Sequence, residues 1–378
     1  MEFDLSPEEL AFRDEVRDAL ALLPPGWDRR PSSLGSSQHS AETEAFNRTL
    51  AERDLLVPHW PAEFGGRGAT QWQYSILSAE MWANGEPRGP QYMNANWIGP
   101  ALMEYGTDEQ RAKFLPLIAQ GEMVWCQGFS EPDAGSDLAS LRTRARRDGE
   151  WYVIDGRKIW TSYAGDASHC LLLARTGVHE QPRADITIFL VPMSSEGLGV
   201  RPIDAIIGSH AFHELTLDAV RVHESMRLGP EGAGWTIMRG ALANERVGNP
   251  RYVRAVKVLE ELIAQADDLL DSADGSVEVL GETLALCDAA RLLAWRAVDG
   301  GVRGHARHAD ASAARAAIVL AERAVGDVCS DLSGLDGVVE GSVADGQFRN
   351  SLAAGIASGT YEMQLNTVAS TIIQREHS

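Results

Sequence analysis

Between residues 150 and 222 the chain reads as a series of short β-rich runs: EWYVIDGRKIW, HCLLLART, DITIFLVP, LGVRPID and HELTLDAVRV. Gly, Asp and Pro turns separate them, and no helical periodicity intervenes. Strands at this spacing without crossover helices predict a compact antiparallel sheet or barrel. On both sides the apolar period changes to that of a helix. The order helical, β, helical within one chain is uncommon, and it narrows the architectures open to this sequence.

The N-terminal helical stretch begins with LSPEELAFRDEVRDALALL, where Ser6 is placed as N-cap, Pro7 at the first helical position and Glu9 as the third residue of a capping box. SAETEAFNRTLAERDLL predicts a second helix closed by Pro58, and GPALMEYGTDEQRAKFLPLIAQGE two short ones, with Thr107 as cap and Gly121 as terminator. After the β-rich segment, GWTIMRGALANERV, VEVLGETLALCDAARLLAWRAVD and ASAARAAIVLAERAVGDVCSDL are long enough for a bundle, followed by a shorter helical pair. These readings give an α+β fold. An N-terminal helical domain spans 1–122, a β-barrel-like middle domain 123–226 and a C-terminal helical bundle 227–378.

At 378 residues the chain exceeds what one hydrophobic core serves, so several layers are expected. Its net charge of −20 argues against nucleic-acid binding. A phosphorylated small ligand needs only a few local donors and is not excluded. One basic run exists, SLRTRARRDG, where alternation places Arg142, Arg144 and Arg146 on one side of a strand, read as a solvated edge. No stretch of 18 apolar residues is present, which predicts no membrane span, and the acidic, amphipathic start is unlike a signal peptide. Cys126, Cys170, Cys287 and Cys329 are scattered, without metal-ligand spacing. Reduced thiols, a cytoplasmic location and no metal are the expectation.

The most specific stretch is GFSEPDAGSDLAS at 128–140. Gly135 and Ser136 make a tight turn whose N–H groups and hydroxyl can cradle an anion, with acidic residues at 131, 133 and 137 to brace it. DGRKIWTSYAGDASHCLLLART then sets Trp160, Thr161 and Ser162 at the end of a strand. HELTLDAVRVHESMRLGPEGAGW leads from a strand through a Gly-rich turn to Trp235.

On these motifs the sequence resembles the acyl-CoA dehydrogenases over nearly its whole length, and GFSEPDAGSDLAS fits that family's first signature at every constrained position. The resemblance implies FAD lying between the β-domain and the C-terminal helices. Phe129 and Ser130 would meet the flavin ring, and Ser136, with Gly135 in the same turn, the pyrophosphate. Trp160 would cover the ring face away from substrate, and Thr161 and Ser162 would hydrogen-bond near flavin N5. IASGTYEMQLN resembles the flavin-contacting C-terminal turn, which brings Thr360 and Glu362 to the cofactor. Met93, Asn94 and Trp97, in PRGPQYMNANWIGPALMEYG, would approach the acyl pocket.

Removal of hydrogen from both Cα and Cβ of an acyl thioester needs a base, a hydride acceptor and donors for the charge developing on the thioester oxygen. In many family members the base is a Glu just before the Gly-Thr of the C-terminal turn, where this chain has Ser358. A minority class places it on the first long C-terminal helix in a Glu-Arg pair. LANERV fits, which points to Glu245 as base, with Arg246 projecting elsewhere around the helix. Isovaleryl-CoA dehydrogenase and the dehydrogenases of steroid side-chain CoA esters have this pattern.

The Arg-Gln-Phe-Gly-like stretch of homotetrameric members is replaced by VKVLEELIAQADDLLDSADGSVEVL. That resembles members which assemble as heterotetramers with fewer than one flavin per chain. The implied partners are an acyl-CoA or acyl-carrier-protein thioester, an electron-transfer flavoprotein and the other subunits of a homo- or hetero-tetramer. Two alternatives stand beside this reading: a non-catalytic or half-site subunit, and a flavin monooxygenase on the same fold, against which Glu245 speaks.

Overall fold

The computed structural model describes residues 4–25, 27, 40–177, 182–240, 250–265, 276–305, 307–357 and 359–376. The chain divides into two compact units, one formed by residues 34–68 and 88–244, the other by 1–33, 69–87 and 245–378.

The first unit contains an eight-stranded sheet. Its strands are β1 (Trp125–Gly128), β2 (Arg144–Asp148), β3 (Trp151–Ser162), β4 (His169–Arg175), β5 (Ile186–Pro192), β6 (Leu198–Ala205), β7 (Gly208–His223) and β8 (Arg227–Leu228). Their order is β6-β7-β3-β2-β4-β5-β8, with β1 paired to β4. Most pairings are antiparallel, as the spacing implied, but β1 and β2 each run parallel to β4, so the sheet is mixed. Parallel pairing needs a long connection, and here the chain passes through β3 before it enters β4. β4 and β5 are buried almost throughout because they lie centrally, and they read as continuous apolar runs for that reason. Tyr152, Ile154, Leu172, Phe189, Leu215 and Val220 belong to the core on one side of this sheet.

Helices of the same unit are α2 (Ala41–Glu52), α4 (Gln91–Met93), α5 (Gly99–Tyr105) and α6 (Asp108–Ala119), with a π-helical segment Asn94–Ile98 joining α4 to α5. Thr107 caps α6 with Gln110 completing a capping box, and Gly121 follows its end at φ 73°. α2 stops at Glu52, ahead of the expected Pro58. The chain there turns at Asp54, at φ 54°, and packs Leu55, Leu56 and Val57 inward.

The second unit is helical: α1 (Pro7–Leu20), α3 (Gln71–Ala83), α7 (Tyr252–Gln265), α8 (Ser276–Val302), α9 (His308–Ser333), α10 (Val343–Ala353) and α11 (Tyr361–Glu376). The capping box of Ser6 and Glu9 forms as the sequence implied. α3 has no counterpart among the expected helices, because its apolar residues surround it instead of forming one stripe. Ala255, Leu259, Ala290, Ile318, Ala321 and Val325 form the centre of this unit's core.

Among the described residues no helix is long and apolar enough to cross a membrane, and no cluster of His, Cys, Asp or Glu could hold a metal ion. The four cysteines are free thiols and buried.

Candidate active site

β1 and β2 lie along one edge of β4. Gly128 stands opposite Leu172 and Arg144 opposite Arg175, and the residues between leave the sheet as an excursion. One carboxylate closes its neck. Glu131 accepts from the backbone N–H of Arg142 at 2.6 Å and of Thr143 at 2.9 Å, and Lys158 Nζ donates to it at 2.8 Å. Lys158 also donates to the Phe129 carbonyl at 3.1 Å, and the Ile159 N–H to the Ser130 carbonyl at 3.0 Å. The backbone at Phe129 and Ser130 is thus tied directly to β3.

The Lys158 side chain is 0% exposed and that of Glu131 7%. Burial pushes the Glu131 carboxyl up, but Lys158 and the donors from Thr143 and Arg142 outweigh it and hold the group below its ordinary value.

At the tip of the excursion Gly135, Ser136 and Asp137 are exposed, and a Cβ built on Gly135 would meet nothing within 4 Å. Of the three acidic residues expected to brace this turn, Glu131 does so. Asp133 reaches Arg142 only at 3.7 Å, with both side chains exposed, and Asp137 makes no side-chain cap. Both lie at the solvent-facing tip, where water competes for their carboxylates.

The end of β3 is irregular. Its register against β7 shifts between Lys158 and Thr161, a β-bulge. Trp160 sits there at φ 60°, a conformation that a bulky residue adopts at a cost on the order of 1–3 kcal/mol. Its ring is 54% exposed and meets Phe212 edge-on at 5.8 Å. Thr161 is 1% exposed, and its hydroxyl is buried without a hydrogen-bond partner among the described residues. Ser162 follows, half-buried, as the last residue of the strand.

Met93, Asn94 and Trp97 are buried in α4 and the π-helical segment. Asn94 Nδ2 donates to Gln91 Oε1 at 2.8 Å and to the Met123 carbonyl at 3.0 Å, and Trp97 packs edge-on against Tyr92 at 5.5 Å. In the helical unit, Thr360 precedes α11, where its hydroxyl accepts from the Met363 N–H at 3.3 Å, and Glu362 is exposed in the first turn. Glu245, Arg246 and Ser358 lie outside the described residues.

The sequence reading passed over Lys158, although a signal was present. With Tyr152 and Ile154 it shares the inward parity of β3, and a lysine at such a position needs a buried carboxylate.

Family models match almost end to end: acyl-CoA dehydrogenase, N-terminal domain, at residues 6–122; middle domain at 126–220; and C-terminal domain at 232–373. The chain is similar to the acyl-CoA dehydrogenase IpdE1 of Mycobacterium tuberculosis, with 37% identity over 272 residues, 68% of this chain and 70% of that protein. It is also 37% identical over 327 residues to acyl-CoA dehydrogenase FadE34 of the same organism, covering 86% of this chain but 45% of FadE34, so it spans less than half of that relative. Among solved structures, the Tcur3481-Tcur3483 steroid ACAD superposes with a TM-score of 0.90 at 29% identity, over 99% of each chain. With the helical, β, helical order and the signature turn in place, these matches show that the chain belongs to the acyl-CoA dehydrogenase family.

Proposed function

We propose that the chain is an FAD-dependent dehydrogenase that converts an acyl-CoA thioester to its trans-2-enoyl thioester. The observation that carries this reading is the end of β3. There a half-exposed Trp160 at φ 60° adjoins Thr161, whose buried hydroxyl has no hydrogen-bond partner among the described residues. A planar ring with polar atoms along its edge suits both, and the open space over Gly135 suits a phosphate. The residues therefore fit FAD, which when bound supplies the acceptor for the β-hydrogen and its electron pair.

In this reading Trp160 covers one face of the ring. Thr161 and Ser162 hydrogen-bond at its edge, the backbone of Phe129 and Ser130 orients it, and Gly135 and Ser136 hold the pyrophosphate. Thr360 and Glu362 complete the cofactor contacts. Glu245 takes the proton from Cα, and its neighbours Leu242, Ala243 and Val247 favour the dry setting that raises a carboxylate's basicity. A backbone N–H at Ser358 polarises the thioester oxygen, with Arg246 supporting the neighbouring segment. Met93, Asn94 and Trp97 bound the acyl group. An electron-transfer flavoprotein would be the partner that accepts the electrons.

A second reading has specific support. Ser358 replaces the usual acid, VKVLEELIAQADD replaces the Arg-x-x-Phe stretch, and the steroid ACAD that resembles this chain is named for two proteins. These favour a heteromeric assembly in which a homologous partner completes the flavin site, and a steroid-type acyl group. The test is to express the chain alone and with a homologous partner. Flavin-to-protein ratio and anaerobic reduction by a panel of acyl-CoA esters, steroid side-chain esters included, are then measured. The reading expects bound FAD and its reduction. An assembly that stays colourless after FAD is supplied contradicts it, and oxygen consumption without a thioester points to a monooxygenase.

A further inference from the structure

The peptide that joins Phe129 to Ser130 has a lopsided set of partners. Its carbonyl accepts from Lys158 Nζ at 3.1 Å, and the next carbonyl, that of Ser130, accepts from the Ile159 N–H at 3.0 Å. Its own N–H, on the half-buried Ser130, has no acceptor among the described residues. Both carbonyls are thus tied to β3, while the donor between them is left open.

The group on the carbonyl side is a buried charge. Lys158 has no exposed surface, and its stem passes the end of β1, where a Cβ built on Gly128 would lie 3.5 Å from Lys158 Cγ. Its other partner is Glu131 at 2.8 Å, which the N–H groups of Arg142 and Thr143 hold in turn. Burial pushes the ammonium below its ordinary value, and the Glu131 carboxylate offsets part of that. A charge-assisted hydrogen bond therefore ends on the oxygen of an amide whose nitrogen end is open. Such a bond draws electron density from the nitrogen and makes the N–H a stronger donor, the more so where water is absent.

The same lysine stands two residues before Trp160 and three before Thr161 on β3. One side chain therefore links the excursion to the strand end that carries the exposed ring and the buried hydroxyl. This step rests on the reading of these residues as the FAD site. A donor aimed at a ring that gains electrons binds its reduced form more tightly than its oxidised form, and so raises its potential. We propose that Lys158 is a positioning residue for the cofactor, acting through the Phe129–Ser130 peptide to strengthen the Ser130 N–H as a donor to the ring and so to favour its reduced form. Lys158 and Glu131 together carry no net charge, so the effect is local to this peptide.

The test is the midpoint potential of the FAD-loaded assembly, measured by anaerobic equilibration with redox dyes. Lys158→Met with Glu131→Gln removes both charges, leaves the local net charge unchanged and keeps an amide oxygen for the Arg142 and Thr143 N–H groups. The reduced form is expected to lose roughly tenfold of its advantage over the oxidised form, a fall of about 30 mV for a two-electron couple. A merely structural role predicts a wild-type potential once the double substitution has restored the fold. A second measurement needs no variant. Phe-Ser occurs once in the sequence, so labelling phenylalanine at its carbonyl carbon and serine at its nitrogen isolates this peptide by NMR. The Ser130 N–H resonance is expected to move downfield when the bound flavin is reduced. A double variant that keeps the wild-type potential overturns the proposal. So does one that folds but no longer holds FAD, because tuning shifts a potential without abolishing binding. A Ser130 N–H indifferent to reduction overturns it as well.

The two readings fail separately. An assembly that acyl-CoA reduces, with a potential indifferent to Lys158, loses this role and keeps the dehydrogenase. One whose potential follows Lys158 but which no thioester reduces keeps the role and loses the dehydrogenase.

Discussion

Lys158 has no exposed surface and stands two residues before the half-exposed Trp160, so one strand carries a buried charge and a presented ring side by side. Its ammonium is balanced by Glu131, and Glu131 also holds the backbone N–H groups of Arg142 and Thr143. Glu131→Gln leaves that buried ammonium uncompensated and is expected to destabilise the protein by about 3–5 kcal/mol, read from urea unfolding. Replacing both members, Glu131→Leu with Lys158→Met, does not restore full stability, because the two N–H groups remain without an acceptor. The Glu131 carboxyl is held below its ordinary value, so its contribution is complete above the ordinary carboxylate range and fades as pH falls through its folded value. The difference between wild type and Glu131→Gln should shrink accordingly in acid.

His59 acts in a neighbouring pH range. Burial pushes its pKa down to about 4, the hydrogen bond to the Ala95 carbonyl offsetting only part of this. Between the ordinary histidine value and about 4 the unfolded chain binds the proton and the folded one does not, so stability falls as pH is lowered through that window. His59→Gln should flatten this slope, as followed by thermal denaturation from pH 7 to pH 4.

At the level of elements, Gly128 ends β1 at the point where the excursion leaves the sheet, and it is sterically confined there. A Cβ there would lie 2.7 Å from Leu172 Cδ1 and 2.9 Å from Cys170 Sγ. Gly128→Ala is expected to cost about 1–3 kcal/mol through overpacking, with a lower denaturation midpoint and no loss of secondary structure. The strands, caps and long C-terminal helices were legible in the sequence because each is written locally, as in the alternation of β3 or the box of Ser6 and Glu9.

The excursion's residues were legible as a motif, but its geometry was not. That β1 and β2 share one edge of β4 depends on pairing between residues distant in sequence, and no local period encodes it. The bulge that turns out Trp160 is likewise set by the register with β7. Arg142, Arg144 and Arg146 are all exposed as the alternation implied, Arg144 and Arg146 on β2 and Arg142 just before it. What the alternation could not reveal is that Arg146 has a carboxylate partner in Asp155 while Arg144 has none among the described residues. All three side chains are solvated as expected, but on a face of the sheet and not at its edge, because β2 lies between β3 and β4.

For the molecule as a whole, the helical unit carries apolar side chains that its own core does not use. Leu335, Val338, Ile356 and Ile372 are 87%, 79%, 67% and 58% exposed. Exposed apolar side chains that lie together mark an interaction site. Sedimentation is expected to show an oligomer, formed by this chain alone or with a homologous partner. A stable monomer with a full complement of FAD would count against that expectation.

The central claim, that Glu245 is the base of a flavin-dependent acyl-CoA dehydrogenation, is tested most directly by the anaerobic rate of flavin reduction in wild type and Glu245→Gln, with the assembly loaded with FAD and mixed with an acyl-CoA ester that reduces the wild type. The account predicts equal FAD content and equal thioester binding, and a rate lower by roughly 10²–10⁴-fold in the variant. Reduction at the wild-type rate by Glu245→Gln would contradict it.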